Sequence, residues 1–198
     1  MRMNGKPITK SIPWKTLPEC LHLSILNAKN LLKDASNLLE QKSYISATAL
    51  SILALEELGK GQIAFEFFKD QKDVSLSDYK KVFCDHEEKI KAVLKIYPYN
   101  SKGKSILEKF IEDKKYEAFY VDYDWKFHKW FIGREHELQF EDSPHIDFFN
   151  VLLGNKAKEF YSNLQLGVST IDNEVVQTLL NIAEICLSVL ESEYKTTA

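Results

Sequence analysis

The sequence predicts an all-α protein, a single bundle of five or six helices. Apolar residues recur at steps of three and four along most of its 198 residues, which is the period of an amphipathic helix. The chain contains only 7 Gly and 5 Pro, and 44% of its residues are hydrophobic, as in a compact globular domain. Residues 118–144 lack this period. Because the helical period covers most of the rest of the chain, we expect negligible strand content.

The first two helices follow from the spacing of their apolar residues. Residues 18–41 carry one apolar stripe, formed by Leu21, Ile25, Ala28, Leu32, Ala35 and Leu39. Ser43 can cap a second helix that runs to about Phe68. This second helix is apolar nearly all round over residues 45–55, which predicts that it is the central, most buried member of the bundle.

The remaining elements are predicted from caps, prolines and spacing. After a linker at residues 71–75, Ser77 and Asp78 can cap a third helix that must end at Pro98. A fourth helix begins near Ile106 and fades near Lys115. Residues 118–144 are interpreted as a long, ordered, aromatic-rich loop with a short strand pair near residues 119–123. Two further helices are expected at residues 146–164 and 171–194.

Charge and composition restrict the setting of the protein. The net charge of -3 gives no overall positive field that would attract nucleic acid or a lipid surface. The longest apolar runs are shorter than a membrane span, so we expect no membrane association. Three widely spaced cysteines predict neither a disulfide framework nor a zinc ribbon, as in a cytoplasmic protein. Residues 1–16 are predicted to form an extended basic arm, and residues 17–198 a single domain.

Charged residues interrupt the helix that should be most buried. Glu56, Glu57 and Lys60 lie on this second helix, and the wheel places Glu57 on an apolar face. Lys60 is close enough along the helix to pair with either carboxylate. Gly59 weakens a helix, so its presence indicates that another backbone or a ligand approaches there.

A second polar group, His86 and Lys89, shares one face of the third helix. If the second and third helices are antiparallel neighbours, His86 and Lys89 can meet Glu56, Glu57 and Lys60. Two interpretations are open. The cluster is either a buried polar clasp that fixes the helix register, or a small acid, histidine and lysine site in which His86 titrates near neutral pH.

Neither a metal centre nor a nucleophilic triad is predicted. A di-iron bundle needs two Glu-x-x-His pairs, and the chain contains only one, Glu19 with His22. No G-x-S-x-G sequence is present, and no cysteine lies in a catalytic signature. We therefore expect no metal and no cofactor.

The segment from Phe119 to Phe131 is rich in aromatic residues, with seven among its thirteen positions. It can pack as a lid on the bundle, form a dimer contact, present a docking surface or stack bases. Asp122 and Asp124 alternate with tyrosine and would repel phosphate. This alternation lowers the case for base stacking.

Together these features resemble the AbiV family of bacterial abortive-infection proteins. The resemblance covers about residues 20–190. It rests on sequence marks that occur in order, namely Asn27-Ala28 to Asp34-Ala35, Tyr44 to Ala49, Leu55-Glu56-Glu57-Leu58-Gly59-Lys60, His86 with Lys89, and Tyr120-Val121-Asp122-Tyr123. The chain departs from the family pattern at Lys114-Lys115-Tyr116, where an arginine is expected, and at Phe119, where a leucine is expected.

This resemblance implies a HEPN-like bundle in the cytoplasm that stops phage multiplication. It also implies a homodimer that responds to a phage-encoded trigger protein and shuts down translation. Many HEPN domains are metal-independent ribonucleases with an Arg-x(4–6)-His signature. Only Arg2 and Arg134 exist here, and no histidine follows either at that spacing. The usual nuclease signature is therefore absent.

Two classes of function follow, and whether the protein is an enzyme stays open at this point. In the preferred one, the bundle is an effector whose surface binds a phage or translation component. In the other, it is a noncanonical ribonuclease that uses His86 as general acid or base, with Lys60 and Lys89 stabilising the phosphate of RNA. Glu56, Glu57, Gly59, Tyr120, Asp122 and Tyr123 complete the predicted site. Burial discriminates the two, because an active site needs His86 and Lys60 open to a cavity.

Overall fold

The computed structural model describes residues 11–98, 101–119, 121–124, 129–132 and 171–197. Within these ranges, helices predominate, so the all-α class is confirmed. The predicted helix at residues 146–164 lies outside the described residues. The helices are α1 Leu17–Glu40, α2 Tyr44–Lys69, α3 Leu76–Asp78, α4 His86–Ile96, α5 Ser101–Phe119 and α6 Asn173–Thr197. The strands are β1 Ser11–Ile12, β2 Val74–Ser75, β3 Val121–Asp124 and β4 Lys129–Ile132.

Helix α2 is the centre of the bundle, as its sequence predicts. It packs against α1, α4, α5 and α6. Because neighbours cover several of its sides, its apolar residues are buried all round, including Ile52, Leu55, Leu58 and Ala64. The predicted stripe of α1 faces this core, with Leu21, Ala28 and Ala35 fully buried.

A tight turn joins α1 to α2. Lys42 has a φ of 60°, a left-handed conformation at the end of α1 that costs little only for glycine. The amide of Ser43 donates to the Leu38 carbonyl at 2.9 Å and closes the helix end. The short turn makes α1 and α2 antiparallel neighbours.

The predicted third helix is not one helix. Ser75, rather than Ser77 or Asp78, caps its start, because the Ser75 Oγ accepts from the Asp78 amide at 3.0 Å. Helix α3 then passes into a π-helical turn, Tyr79–Phe83, in which the two terminal rings stack 5.7 Å apart. Helix α4 begins afresh at His86 and ends before Pro98, as expected.

Helix α4 runs in the same direction as α2, which corrects the antiparallel arrangement considered from the sequence. Glu56 meets His86 and Lys89, whereas Glu66 near the end of α2 meets Lys95 near the end of α4. The physical reason is the connection at residues 70–85, which runs back along α2 before α4 begins.

Helix α5 and the hairpin after it differ from the predicted long loop. The helix continues past Lys115 to Phe119. Strand β3 then pairs with β4 in antiparallel register, Val121 opposite Ile132 and Asp124 opposite Lys129. The aromatic segment is therefore a β-hairpin over the residues that the structure describes, and the strand pair begins two residues later than predicted.

The first described residues form a short, exposed strand beside the connection that follows α2. Strand β1 pairs antiparallel with β2, and the amide of Trp14 donates to the Asp73 Oδ1 at 3.0 Å. Ser11 and Ile12 are extended, as expected of the arm, and are held against the connection after α2.

Helix α6 is a core helix with unusually apolar sequence. Over Asn173–Lys195 its length and hydropathy are sufficient for a membrane span. It packs against α2, α1 and α4, and Leu179, Ile182 and Leu190 are fully buried there. A core helix of a bundle meets the same criteria, so the expectation of no membrane association stays a prediction.

Candidate functional site

The two consecutive acids of α2 point in different directions. Successive helical residues are about 100° apart, so adjacent side chains reach different neighbours. The side chain of Glu56 is 4% exposed and faces α4 and α5, whereas that of Glu57 is 20% exposed and faces α1. The buried acid is therefore Glu56, and not Glu57 as the helical wheel suggested.

Glu56 binds three basic side chains, and we call these four residues the Glu56 cluster. Its Oε2 lies 2.5 Å from the Nδ1 of His86 and 3.1 Å from the Nζ of Lys89. Its Oε1 accepts from the Nζ of Lys115 at 2.8 Å. Because α2 supplies the acid, α4 two partners and α5 the third, one carboxylate ties three helices together.

The protonation state of Glu56 follows from these contacts. Burial alone raises the pKa of a carboxyl. Hydrogen bonds from Lys115 and His86, with the charges of Lys115 and Lys89, outweigh this effect and hold the pKa of Glu56 below its usual range. The ionised carboxylate can only accept hydrogen bonds, so His86 donates through its Nδ1.

The start of α4 positions His86. Asp85 is the N-cap, since its Oδ1 accepts from the amide of Glu88 at 3.1 Å. This cap places His86 at the first position of the helix, beside Glu56. The side chain of His86 remains 61% exposed, so the ring is anchored at Nδ1 and open to solvent elsewhere.

Gly59 permits the close contact between α2 and α4. A Cβ added at Gly59 would lie 1.9 Å from the carbonyl oxygen of Lys89. Only a residue without a side chain fits there, because the nearest atoms belong to the backbone of α4 and not to a flexible side chain. The prediction that another backbone approaches Gly59 is confirmed, and this contact brings Lys89 within reach of Glu56.

Glu57 and Lys60 form a separate pair. Their side chains meet at 2.5 Å along α2, and Lys60 is 31% exposed. They line a groove of about 670 Å³ against α1, together with Cys20, Asn27 and several apolar side chains. The predicted meeting of His86 and Lys89 with Glu57 and Lys60 is therefore wrong, because adjacent acids on α2 diverge.

A second cavity, of about 370 Å³, lies beside His86, and we call it the acidic cavity. His86 and Lys115 line it, but four carboxylates do so as well. Burial raises the pKa of one of these, Glu108, above its usual range. The four acids are Asp85, Glu87, Glu108 and Glu112.

The predicted aromatic motif, Tyr120-Val121-Asp122-Tyr123, is not part of the Glu56 cluster. Asp122 and Tyr123 belong to β3, where they pair with Phe131 and Trp130 of β4. Tyr120 lies outside the described residues. Strand β3 follows α5, the helix that carries Lys115, so the motif and the cluster lie on successive elements.

Lys115 is the cluster member that the sequence analysis did not select. It lies four residues after Ile111 and eight after Leu107, both fully buried. This spacing extends the core-facing stripe of α5 to Lys115. A lysine that continues an apolar stripe was the signal for an internal carboxylate partner.

No metal site is assembled in the part of the chain that the structure describes. No group of three or more His, Cys, Asp or Glu side chains there is placed to hold a metal ion. The carboxylates of the acidic cavity lie close to lysines, and Lys91 pairs with Glu87 and Glu108. The expectation of no metal or cofactor stays a prediction.

Comparisons with known proteins identify the family. A family model described as AbiV, of HEPN type, matches residues 16–132. The match covers α1 to β4, including Glu56, His86, Lys89 and Lys115. No curated protein matches the chain, and no solved structure does. The family match spans more than half of the sequence, and this chain therefore belongs to the AbiV family of HEPN-type abortive-infection proteins.

Proposed function

We propose that this protein is an abortive-infection effector that halts phage multiplication by binding a phage or translation component. In this proposal the Glu56 cluster is a structural clasp. The observation that carries this proposal is that the two lysines of the Glu56 cluster are already paired with a carboxylate. Lys89 and Lys115 both bind Glu56, and Lys89 is only 9% exposed.

The electrostatics of the acidic cavity support this choice over RNA cleavage. A metal-independent nuclease must place positive charge around a phosphate. Here four carboxylates line the cavity beside His86, and the ammonium of Lys115 is held by Glu56. The cavity therefore repels a phosphate more than it attracts one.

The test compares phage defence with RNA cleavage. Cells expressing His86→Ala should protect against phage as wild-type cells do, provided that the variant folds. Purified wild-type protein, incubated with total RNA and tRNA with and without the phage trigger, should leave both intact. Cleavage by the wild type that His86→Ala abolishes would refute the effector proposal.

One observation favours a second candidate, a noncanonical ribonuclease. Glu56 holds His86 at 2.5 Å through Nδ1, as a carboxylate orients a general base, and the ring lines the acidic cavity. Such a site would use His86 with Lys115, and Lys60 would be excluded because it faces α1. This candidate requires that Glu56→Gln and His86→Ala both lose RNA cleavage while remaining folded.

The proposal includes a cytoplasmic homodimer that acts when a phage protein is present. Family membership supports this part. Sedimentation equilibrium across a hundredfold concentration range should give twice the mass of the chain. A monomeric mass throughout would refute the dimer and leave the effector function to the plaque assay.

A further inference from the structure

The groove against α1 collects exposed apolar side chains, and we call it the α1 groove. Among the described residues, seven large hydrophobic side chains are exposed, and four of them line this groove. They are Leu23 at 54%, Leu26 at 48%, Tyr79 at 41% and Ile12 at 36% exposure. An apolar patch of this kind with a polar rim is typical of an interaction surface.

The pattern on α1 shows that this face has no packing partner among the residues that the structure describes. Glu19, Leu23, Leu26 and Asn30 follow one another at steps of four, three and four, so they form one exposed stripe. The core stripe of α1, which includes Leu21 and Ile25, faces another side. Helix α1 thus has a second stripe with no neighbour in the described structure.

The groove also carries negative charge. Glu57 is neutralised by Lys60 at 2.5 Å, but Glu19 lies on the exposed stripe and forms no ion pair with any residue that the structure describes. Glu19, Glu57 and Lys60 are the charged residues among the described lining. A partner that matches this surface therefore combines apolar residues with a lysine or arginine.

We propose that the α1 groove binds an amphipathic helix of a partner protein. Two apolar residues one turn apart pack against Leu23 and Leu26, and a basic residue pairs with Glu19. The proposal rests on the proposed effector function and names the surface that performs it. A second copy of this chain fits less well, because two-fold pairing would bring Glu19 toward an identical acidic groove.

Synthetic peptides test the chemistry directly. The probe is an amphipathic helix of about 18 residues made of Leu, Ala and Lys, and its control has Glu in place of every Lys. The lysine peptide should bind the full chain at least tenfold more tightly in fluorescence anisotropy. Glu19→Lys should reverse this preference. Equal binding of both peptides, or no binding, would overturn the proposal.

Matched variants locate the binding. The double variant Leu23→Ser with Leu26→Ser should bind the lysine peptide at least tenfold more weakly. The control is Ile185→Ser, which replaces an exposed apolar side chain on α6 and should leave the affinity within twofold. All three residues are exposed, so the variants should unfold at the wild-type midpoint. If the double variant instead turns a dimer into a monomer, the occupant is a second copy and the proposal is wrong.

Plaque assays with the same variants separate this inference from the effector function. Loss of protection in the double variant, with peptide binding also lost, supports the groove as the effector surface. If the double variant still protects cells, the proposal that the α1 groove is the effector surface is wrong, whereas the effector function itself is not refuted. If wild-type protein fails to protect while the peptide results hold, the effector function fails and the groove remains a helix-binding site.

Discussion

Replacing Glu56 by glutamine should destabilise the fold far more than the same change at Glu57. The two residues are adjacent on α2, so helix propensity and position hardly differ. Glu56→Gln removes the charge that neutralises Lys89, whose side chain is 9% exposed. Glu57→Gln affects only the pair with Lys60, which is 31% exposed.

The expected magnitudes follow from this burial. Breaking a buried ion pair from one side costs about 3 to 5 kcal/mol, because the remaining charge is stranded. We expect about 3 kcal/mol for Glu56→Gln, since Lys115 and His86 line the acidic cavity and can turn to water. A partly exposed pair along one helix contributes below about 1 kcal/mol, which is the limit for Glu57→Gln.

Urea unfolding at pH 7, followed by circular dichroism, measures both changes. For a chain of this size, each kcal/mol corresponds to about 2–4 °C in melting temperature, so Glu56→Gln should melt roughly 6–12 °C lower. Adding Lys89→Met to Glu56→Gln should restore on the order of 1–2 kcal/mol, because the stranded ammonium is removed. Equal losses for Glu56→Gln and Glu57→Gln would refute the clasp.

The same reasoning gives a pH dependence. Because the pKa of Glu56 in the folded protein lies below its ordinary value of 4.5, its ionised form contributes stability above pH 4.5. This contribution is lost as the pH falls through the folded pKa. The difference in unfolding free energy between wild type and Glu56→Gln should therefore shrink below pH 4.5. A difference that stays constant down to pH 3 would contradict the assignment.

Four further predictions concern single residues. Gly59→Ala should cost about 3 kcal/mol in urea unfolding, because its Cβ would lie 1.9 Å from a carbonyl of α4. Gly61→Ala should change stability by less than about 1 kcal/mol, since the nearest atoms are side chains at 3.2 Å or more. Thr48→Val should raise the melting temperature by removing a buried hydroxyl that lacks a hydrogen-bond partner among the described residues. Exposed Cys84 should react with a thiol reagent at pH 8 before Cys186, whose pKa burial raises to about 12.

The burial of the central helix α2 was predictable from its own sequence, and so was the need of its charged residues for partners. Apolar residues all round α2 require neighbours on every side, and charged residues inside such a helix require partners. Gly59 marked the close approach of another backbone, since glycine weakens a helix without such a reason. Each of these predictions uses the sequence of one helix only, so none depends on the path of the loops that connect the helices.

The residues that contact α2 were harder to predict, because they depend on the path of the chain between α2 and the helices packed against it. Sequence spacing treats residues 77–97 as one helix, but the cap at Asp85 begins a new helix and sets the position of His86. The direction of α4 along α2 depends on the connection at residues 70–85. The stripe of α5 indicates that Lys115 has a buried acidic partner, but it does not identify that partner, because Glu56 lies 59 residues away in the sequence.

The Glu-Glu-x-Gly-Lys sequence therefore combines two tasks on one turn of helix. Glu56 and Gly59 face α4 and hold the bundle together, whereas Glu57 and Lys60 face the α1 groove. Variants of the first pair should lose phage defence together with stability. Variants of the second pair should lose defence, if the groove is the effector surface, with little change in the unfolding midpoint. Measuring both quantities for each residue separates the role of the motif in folding from its role in binding, which defence assays alone would merge.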